Sequence, residues 1–331
     1  MRGRNPSHTA LNPEGGTMNE HQTKQPAQKR YSYSANPMGL VNRVREAHRL
    51  YNLWQQSTQD RVSFTLRAVR RSEEQLAEHL GVKLEGMDIL DVGPGQQLKH
   101  MKVLSVKNRV SGIDMDVVPQ GFYLGDYLTM LRYNPMLRTV KTAARQALGF
   151  DASFDQELAR RLSVKDFPRL PVYRMDATRM SFSNASFDAV VSWSAFEHFD
   201  NPRAALTEVA RVLRPGGIAY LAIHLYMSHS GSHDPATYSN DGSAAPPYWP
   251  HLRPGIREHM QPNCYVNKVR LDEWLRLFAE TMPGAKFIHE RQEDLVQPLR
   301  ELKAQGELTE YADDELLTVG LIGMWRKPKQ G

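Results

Sequence analysis

The chain has 331 residues, 40% of them hydrophobic and 24% charged, an ordinary globular usage that excludes wholesale disorder, collagen and coiled coil. Within the first thirty residues five cations (Arg2, Arg4, Lys24, Lys29, Arg30) face two acids, so +3 of the net +5 sits there and the remainder carries +2, which argues against a nucleic-acid face. No apolar run nears the roughly 18 residues that cross a bilayer, residues 1–30 lack the apolar centre of a secretory signal, and the lone cysteine, Cys264, excludes an internal disulfide or a cysteine zinc cluster, so the cytoplasm is the expected setting.

In chain order, residues 1–35 hold too few apolar side chains to offset the entropy of ordering and read as a disordered tail. Leu40, Val41, Val44, Ala47, Tyr51 and Trp54 then recur at helical spacing, as do Val62, Leu66, Val69, Leu76 and Leu80 ahead of Gly81. Two amphipathic helices over 38–80 are predicted, within an N-terminal helical cap at 36–85. From residue 87 the pattern changes. Ile89, Leu90 and Val92 make a short apolar run closed by Gly93-Pro94-Gly95, a helical stretch follows from Gln96 to Val106, and Val110 to Asp114 is a second strand. Further strands are predicted from Phe187 to Trp193, Ile218 to Leu225 and Leu317 to Trp325, with a weaker one from Lys286 to Glu290. Between the first two of these lies a helix that Asn201 caps, Pro202 opens and Pro215-Gly216-Gly217 stops; another helix runs from Leu271 to Glu280. This alternation predicts an α/β fold with an open doubly wound sheet for 86–331.

The turn after the first strand, Asp91-Val92-Gly93-Pro94-Gly95-Gln96-Gln97, has glycines that let backbone approach a ligand and exposes helix N-terminal amides. A dinucleotide fingerprint needs a third glycine where Leu98 stands, which disfavours a nicotinamide dehydrogenase. An acid two places before the first glycine suits a cationic amino group instead, such as the methionyl end of S-adenosylmethionine. Asp114, 23 residues on, is placed to accept hydrogen bonds from ribose hydroxyls, with Asp116 as a competitor. Asp176, before Ala177 in a loop, is placed to accept one from an adenine amino group. Each alone reads equally as a turn or a solvated aspartate.

Together, Asp91-x-Gly93-x-Gly95, Gly112-Ile113-Asp114, Asp176-Ala177, Ser186-Phe187-Asp188-Ala189-Val190-Val191, Glu197-His198 and the run from Glu208 to Gly217 resemble the class I S-adenosylmethionine-dependent methyltransferases, and look most like the type 11 group. The resemblance covers about 87–225, with a looser tail to about 326, and is most specific over 186–217. It implies a Rossmann-like seven-stranded sheet whose last strand, Leu317 to Trp325, is antiparallel. It implies S-adenosylmethionine as cofactor, with Asp91, Gly93 and Gly95 at the methionyl part, Asp114 at the ribose, Asp176 and Ala177 at the adenine, and Ser192 under the sulfonium. His198, after the fourth strand, resembles a histidine that serves as general base in some small-molecule members and only packs its loop in others. His224 and His233 are reserves for that role, and Tyr51 is placed to help close the site. One departure from the family pattern is Gln97 at the third glycine.

A second departure is length. Asp114 and Asp176 lie 62 residues apart, so helices are inserted at about 117–170. One is opened by Asn134-Pro135, lined by Leu137, Val140, Ala144 and Leu148, and ended by Gly149. Here Tyr123, Tyr127 and Tyr133 interleave with Arg132, Arg138, Lys141 and Arg145. A solvated cap with its tyrosines in the core is the first reading and a lid gripping an anionic acceptor the second; nucleic-acid and membrane-surface faces follow. Another insertion, at about 228–262, contains His229, His233, Asp234, Tyr238, Tyr248, Trp249 and His251. It is read as shaping the acceptor pocket, with a mobile polar loop as the alternative. His229 and His233 stand four apart, but Ser230, Gly231, Ser232 and Pro235 argue against a helix there, and no metal site is expected. The expected function is methyl transfer to a small molecule, at a hydroxyl of a sugar, lipid-linked compound or secondary metabolite. The alternatives are RNA methylation through the basic insert and a non-catalytic cofactor-binding partner protein.

Overall fold

The computed structural model describes residues 58–329 apart from 122, 135, 235–247, 261 and 263. The expectations for the tail at 1–35, for the helix carrying Leu40 to Trp54 with Tyr51, and for Pro135, Pro235 and Tyr238 lie outside the described residues. The second predicted helix is α1 (Thr58–Leu80), which buries Val62, Thr65, Val69, Ser72 and Leu76 along one stripe. Gly81 ends it at φ +62°, where its amide bonds the Ala77 carbonyl and that of Val82 bonds Leu76, a paired closure that only a residue free of a Cβ adopts at low cost.

Seven strands form one sheet: β1 (Asp88–Val92), β2 (Arg109–Asp114), β3 (Val172–Arg174), β4 (Phe187–Trp193), β5 (Leu213–His224), β6 (Lys286–Arg291) and β7 (Thr318–Arg326). Their order is β3-β2-β1-β4-β5-β7-β6. The first five run parallel, and β7 lies antiparallel between β5 and β6. The expected doubly wound sheet with an antiparallel last strand is the one observed.

Alternation along each strand feeds two cores. Ile89, Ala189, Val191 and Ile218 meet Val69 and Leu76 of α1 and Met101 and Leu104 of α2 (Lys99–Ser105). Leu90, Val190, Ala219 and Leu221 face the other way. They pack against Leu206 and Val209 on one helix and Trp274 and Phe278 on another. Covering both faces leaves only the strand ends for chemistry, and the chain order reverses between β1 and β4, where ligands bind such sheets.

Three details depart from the sequence reading. The helix capped by Asn201, whose Oδ1 accepts the Ala204 amide at 3.0 Å, ends at Val212. Pro215-Gly216-Gly217 lies inside β5, at a register shift between the Phe187 and Ala189 pairings. A bulge accepts the proline, and Gly217 must lack a side chain because a Cβ would sit 2.9 Å from the Asp188 and Arg214 carbonyls. The short edge strand β3 follows Pro168 and Pro171 and buries almost nothing, so no apolar period announces it.

The insertion after β2 holds α3 (Leu124–Tyr133), α4 (Met136–Ala147) and α5 (Phe150–Leu162). Phe154 and Leu158 of α5 close over Val62 of α1. The expected stripe on α4 is inverted: Thr139, Thr142 and Gln146 are buried while Val140, Ala144 and Leu148 face out. Polar partners explain this. Gln146 reaches the Pro119 carbonyl and accepts from the Tyr127 hydroxyl.

Helix α6 (Pro202–Val212) is the one that Asn201 caps. Then come α7 (Leu271–Thr281), α8 (Val296–Ala304) and α9 (Asp313–Leu317). In the described part of the second insertion, Trp249 and Leu252 are buried and pack with Leu295, Leu299 and Leu316. No helix among the described residues is long and apolar enough to cross a membrane.

Candidate active site

At the tip of β1 the Asp91 carboxylate is 1% exposed and neither oxygen has a hydrogen-bond partner. Burial, with Asp114 adding repulsion, pushes its pKa up to about 8. The chain then turns. Gly93 (φ +75°) donates to the Ile113 carbonyl at 2.9 Å, and a Cβ on it would lie 2.5 Å from that of Ala195. Gly95 (φ +69°) would direct a Cβ into open space. Gln96 buries an amide whose nitrogen and oxygen also lack hydrogen bonds. Sequence reasoning did not assign this residue, since a glutamine beside a glycine turn carries no signal until burial is known. Gln97, at the third glycine position, donates to Asp151 at 2.7 Å and ties the inserted helices to the loop.

Asp114 ends β2, with Oδ1 accepting the Asp116 amide at 2.8 Å; burial raises its pKa to about 6. Its competitor Asp116 is buried in an ion pair with Arg138 at 2.8 Å. Asp176 follows β3, and its Oδ1 accepts both the amide and the hydroxyl of Thr178 at 2.8 and 2.7 Å. Ala177 beside it is buried. Glu208 and Arg211 hold the segment that follows. Glu208 accepts the Met180 amide at 2.6 Å, and Arg211 donates to the carbonyls of Met180 and Phe182 at 2.9 and 2.7 Å. Ser192 is fully buried and its hydroxyl donates to the Val92 carbonyl at 2.7 Å, so it braces the ends of β1 and β4 rather than offering a free hydroxyl.

Beyond β4 a 3₁₀ turn (Phe196–His198) carries two ionisable groups. Glu197 is 1% exposed, and neither carboxylate oxygen completes a hydrogen bond. Burial pushes its pKa to about 8, slightly offset by the facing amides of Glu197 and His224. His198 Nδ1 lies 2.7 Å from the Tyr265 carbonyl. A carbonyl only accepts, so Nδ1 carries the hydrogen and Nε2 keeps its lone pair. Asn267 clasps the same turn: its amide nitrogen donates to Glu197 O at 2.7 Å, and Nδ2 donates to the carbonyls of Phe196 and Phe199, both at 2.9 Å. Asn267→Ala would remove both Nδ2 hydrogen bonds that hold the turn and is expected to destabilise the protein by about 1–3 kcal/mol, read from urea unfolding.

His224 ends β5, with Nδ1 3.0 Å from His233 Nε2. Burial brings its pKa down to about 4. The pair singled out by spacing, His229 and His233, is split: His229 accepts the Trp249 amide at 3.3 Å and packs against Tyr248, while His233 joins His224. The basic insert is also partly self-satisfied. Besides the Arg138 pair, Arg145 binds Asp151 at 3.1 Å and Arg132 lies over the Tyr133 ring. Three of the four cations expected to grip an anion thus have partners within the protein, two as ion pairs and one over a ring.

Residues 133–221 match a family model described as a methyltransferase domain. This stretch includes Asp176, Ala177, Ser192 and His198. Over 151 residues the chain is 31% identical to sterol 24-C-methyltransferase erg6 of Aspergillus fumigatus, covering 46% of this chain and 31% of that protein. Over 112 residues it is 33% identical to an O-methyltransferase of Pyrenophora dematioidea, covering 31% of this chain and 41% of that one. The chain thus spans less than half the length of these relatives. Among solved structures it is similar to phosphoethanolamine N-methyltransferase 2 of Haemonchus contortus in complex with S-adenosyl-L-methionine, at 15% identity and a TM-score of 0.43, over 78% of this chain and 53% of that one.

Proposed function

We propose that this chain is a class I S-adenosylmethionine-dependent methyltransferase and that it methylates a hydroxyl of a small-molecule acceptor in the cytoplasm. The observation that carries the reading is the Asp91 carboxylate, buried without a hydrogen bond at the tip of β1 beside the Gln96 amide and the open Gly95 turn. Buried polar groups of this kind need a partner. A ligand with a cationic amino group supplies one, and S-adenosylmethionine carries such a group beside its carboxylate. Asp91 and Gln96 would hold that end, the Gly93 and Gly95 backbone would lie along it, Asp114 would take the ribose, and Asp176 with Ala177 would take the adenine. When bound, the cofactor supplies an electrophilic methyl carbon on a positively charged sulfur.

The chain's own contribution is alignment, exclusion of water and removal of a proton. His198 serves as the base. Its Nδ1 is engaged by Tyr265, so Nε2 is the atom that takes the acceptor's proton. The described part of the second insertion, with the His233 ring 5.0 Å from that of His198 and Trp249 in the core, shapes the acceptor side.

Two measurements test the reading. Calorimetry with S-adenosylhomocysteine should show binding, and Asp114→Ala should weaken it by about 1–3 kcal/mol through loss of hydrogen bonds to a carboxylate. No heat from the native protein would overturn the cofactor assignment. Radiolabelled methyl transfer into fractionated cell extracts should then place the label in a small molecule. Label in RNA would replace the acceptor class.

A further inference from the structure

We propose that Glu197, His224 and His233 bind one divalent transition-metal ion, of the zinc, cobalt or iron(II) class, on the acceptor side of the pocket. One ligand atom from each of these residues falls within 4.8 Å of the other two. The residues come from three places: the turn after β4, the end of β5 and the loop beyond it. Two imidazoles and one carboxylate are a recurrent ligand set for such ions, and they leave coordination positions open for an oxygen donor.

Four observations support an ion over a plain polar cluster. The first is distance. His224 Nδ1 and His233 Nε2 are 3.0 Å apart. Nitrogens about 2.0–2.1 Å from a shared zinc, at tetrahedral or square angles, would lie roughly 2.9–3.4 Å apart. The second is the outer hydrogen bond. Metal-bound histidines fix their orientation through the far ring nitrogen, and His224 Nε2 meets the hydroxyls of Ser230 at 3.0 Å and Ser228 at 3.3 Å. The third is Glu197, whose buried carboxylate makes no hydrogen bond and faces this cluster. A bound cation would favour the ionised form of a carboxylate that burial otherwise holds protonated. The fourth is the backbone. His233 sits at φ +53°, and Gly231 packs so tightly that a Cβ would lie 2.0 Å from the Tyr226 carbonyl oxygen. A left-handed histidine in a turn that admits only glycine indicates that the direction of this ring is held against local preference.

The role of the ion rests on the methyl-transfer reading; its binding does not. His198 and Cys264 form an overlapping group with His233, and the His198 and His233 rings lie 5.0 Å apart. An acceptor oxygen on the ion would be polarised there, with the His198 ring beside it to take the proton.

The test uses the full chain, stripped with a chelator and titrated with cobalt(II) chloride and then zinc chloride. One equivalent of cobalt should bind per chain, with a visible absorption spectrum that zinc abolishes. Glu197→Gln and His233→Ala should each weaken cobalt binding at least tenfold, and Ser230→Ala should weaken it by about 10–100-fold as an outer partner. S-adenosylhomocysteine affinity, measured on the same samples, shows that each variant is folded. Absence of stoichiometric cobalt and zinc binding by native protein that still binds S-adenosylhomocysteine would overturn the proposal. So would undiminished binding in Glu197→Gln and His233→Ala. Cobalt binding without S-adenosylhomocysteine binding would retain the ion site and remove the methyl-transfer reading.

Discussion

Asp91→Asn is expected to weaken S-adenosylhomocysteine binding by about 2–5 kcal/mol, the range for removing one member of a buried charge pair, while making the ligand-free protein more stable above neutral pH. Both effects come from one fact: the carboxylate is buried without a hydrogen bond, and its pKa is raised to about 8. An unfolded aspartate titrates near pH 3.9. Between these two values the folded chain holds a proton that the unfolded chain has lost, so native stability falls as pH rises through this window and levels off above about 8. Asparagine has no proton to lose and escapes the decline. The cationic amino group of the ligand needs the ionised form, so binding to the native protein should release a proton below pH 8 and tighten from pH 6 to 8. Calorimetry in buffers of different ionisation enthalpy measures that proton. A pH-independent affinity, or equal affinity in Asp91→Asn, would show that the methionyl end lies elsewhere.

His198→Ala is expected to lower turnover by about 10²–10⁴-fold, the usual contribution of a positioned general base, and to leave S-adenosylhomocysteine affinity nearly unchanged. The ring is prepared for the role by the Tyr265 carbonyl, which fixes its tautomer, and by Asn267, which holds the turn it stands on. A merely structural histidine would predict another pattern, with cofactor affinity and stability falling together. Added imidazole separates the two cases, because it restores a missing base but not a lost packing contact. Full turnover in the folded variant would retire His198 and move the search to His233.

The glycine turn, the Asn201 cap and the apolar strands β1, β2, β4 and β5 were legible because each depends on neighbours in the chain. Ile89 and Leu90 must face opposite sides of a strand whatever else the protein does. The positions of Asp91 and Asp114 near the ends of their strands were legible for the same reason, since the apolar pattern marks the limits of both strands. Gln96 was within view but unassigned, since its importance lies in buried, unserved amide atoms. Ser192 is the residue the resemblance sets under the sulfonium; the partner of its hydroxyl, the Val92 carbonyl, could not be read from sequence.

What sequence by itself determined is therefore the class of fold, the cofactor it implies and the strand tips where carboxylates gather. Tertiary structure alone decided that α4 turns its polar side inward, that Arg138 and Arg145 are engaged within the protein, and that His233 leaves His229 to join His224 and Glu197. Local periodicity records only whether a residue prefers water or the interior. Which buried polar group meets which other is set by contacts between segments far apart in the chain, and these exist only once the sheet has brought the ends of β4 and β5 together.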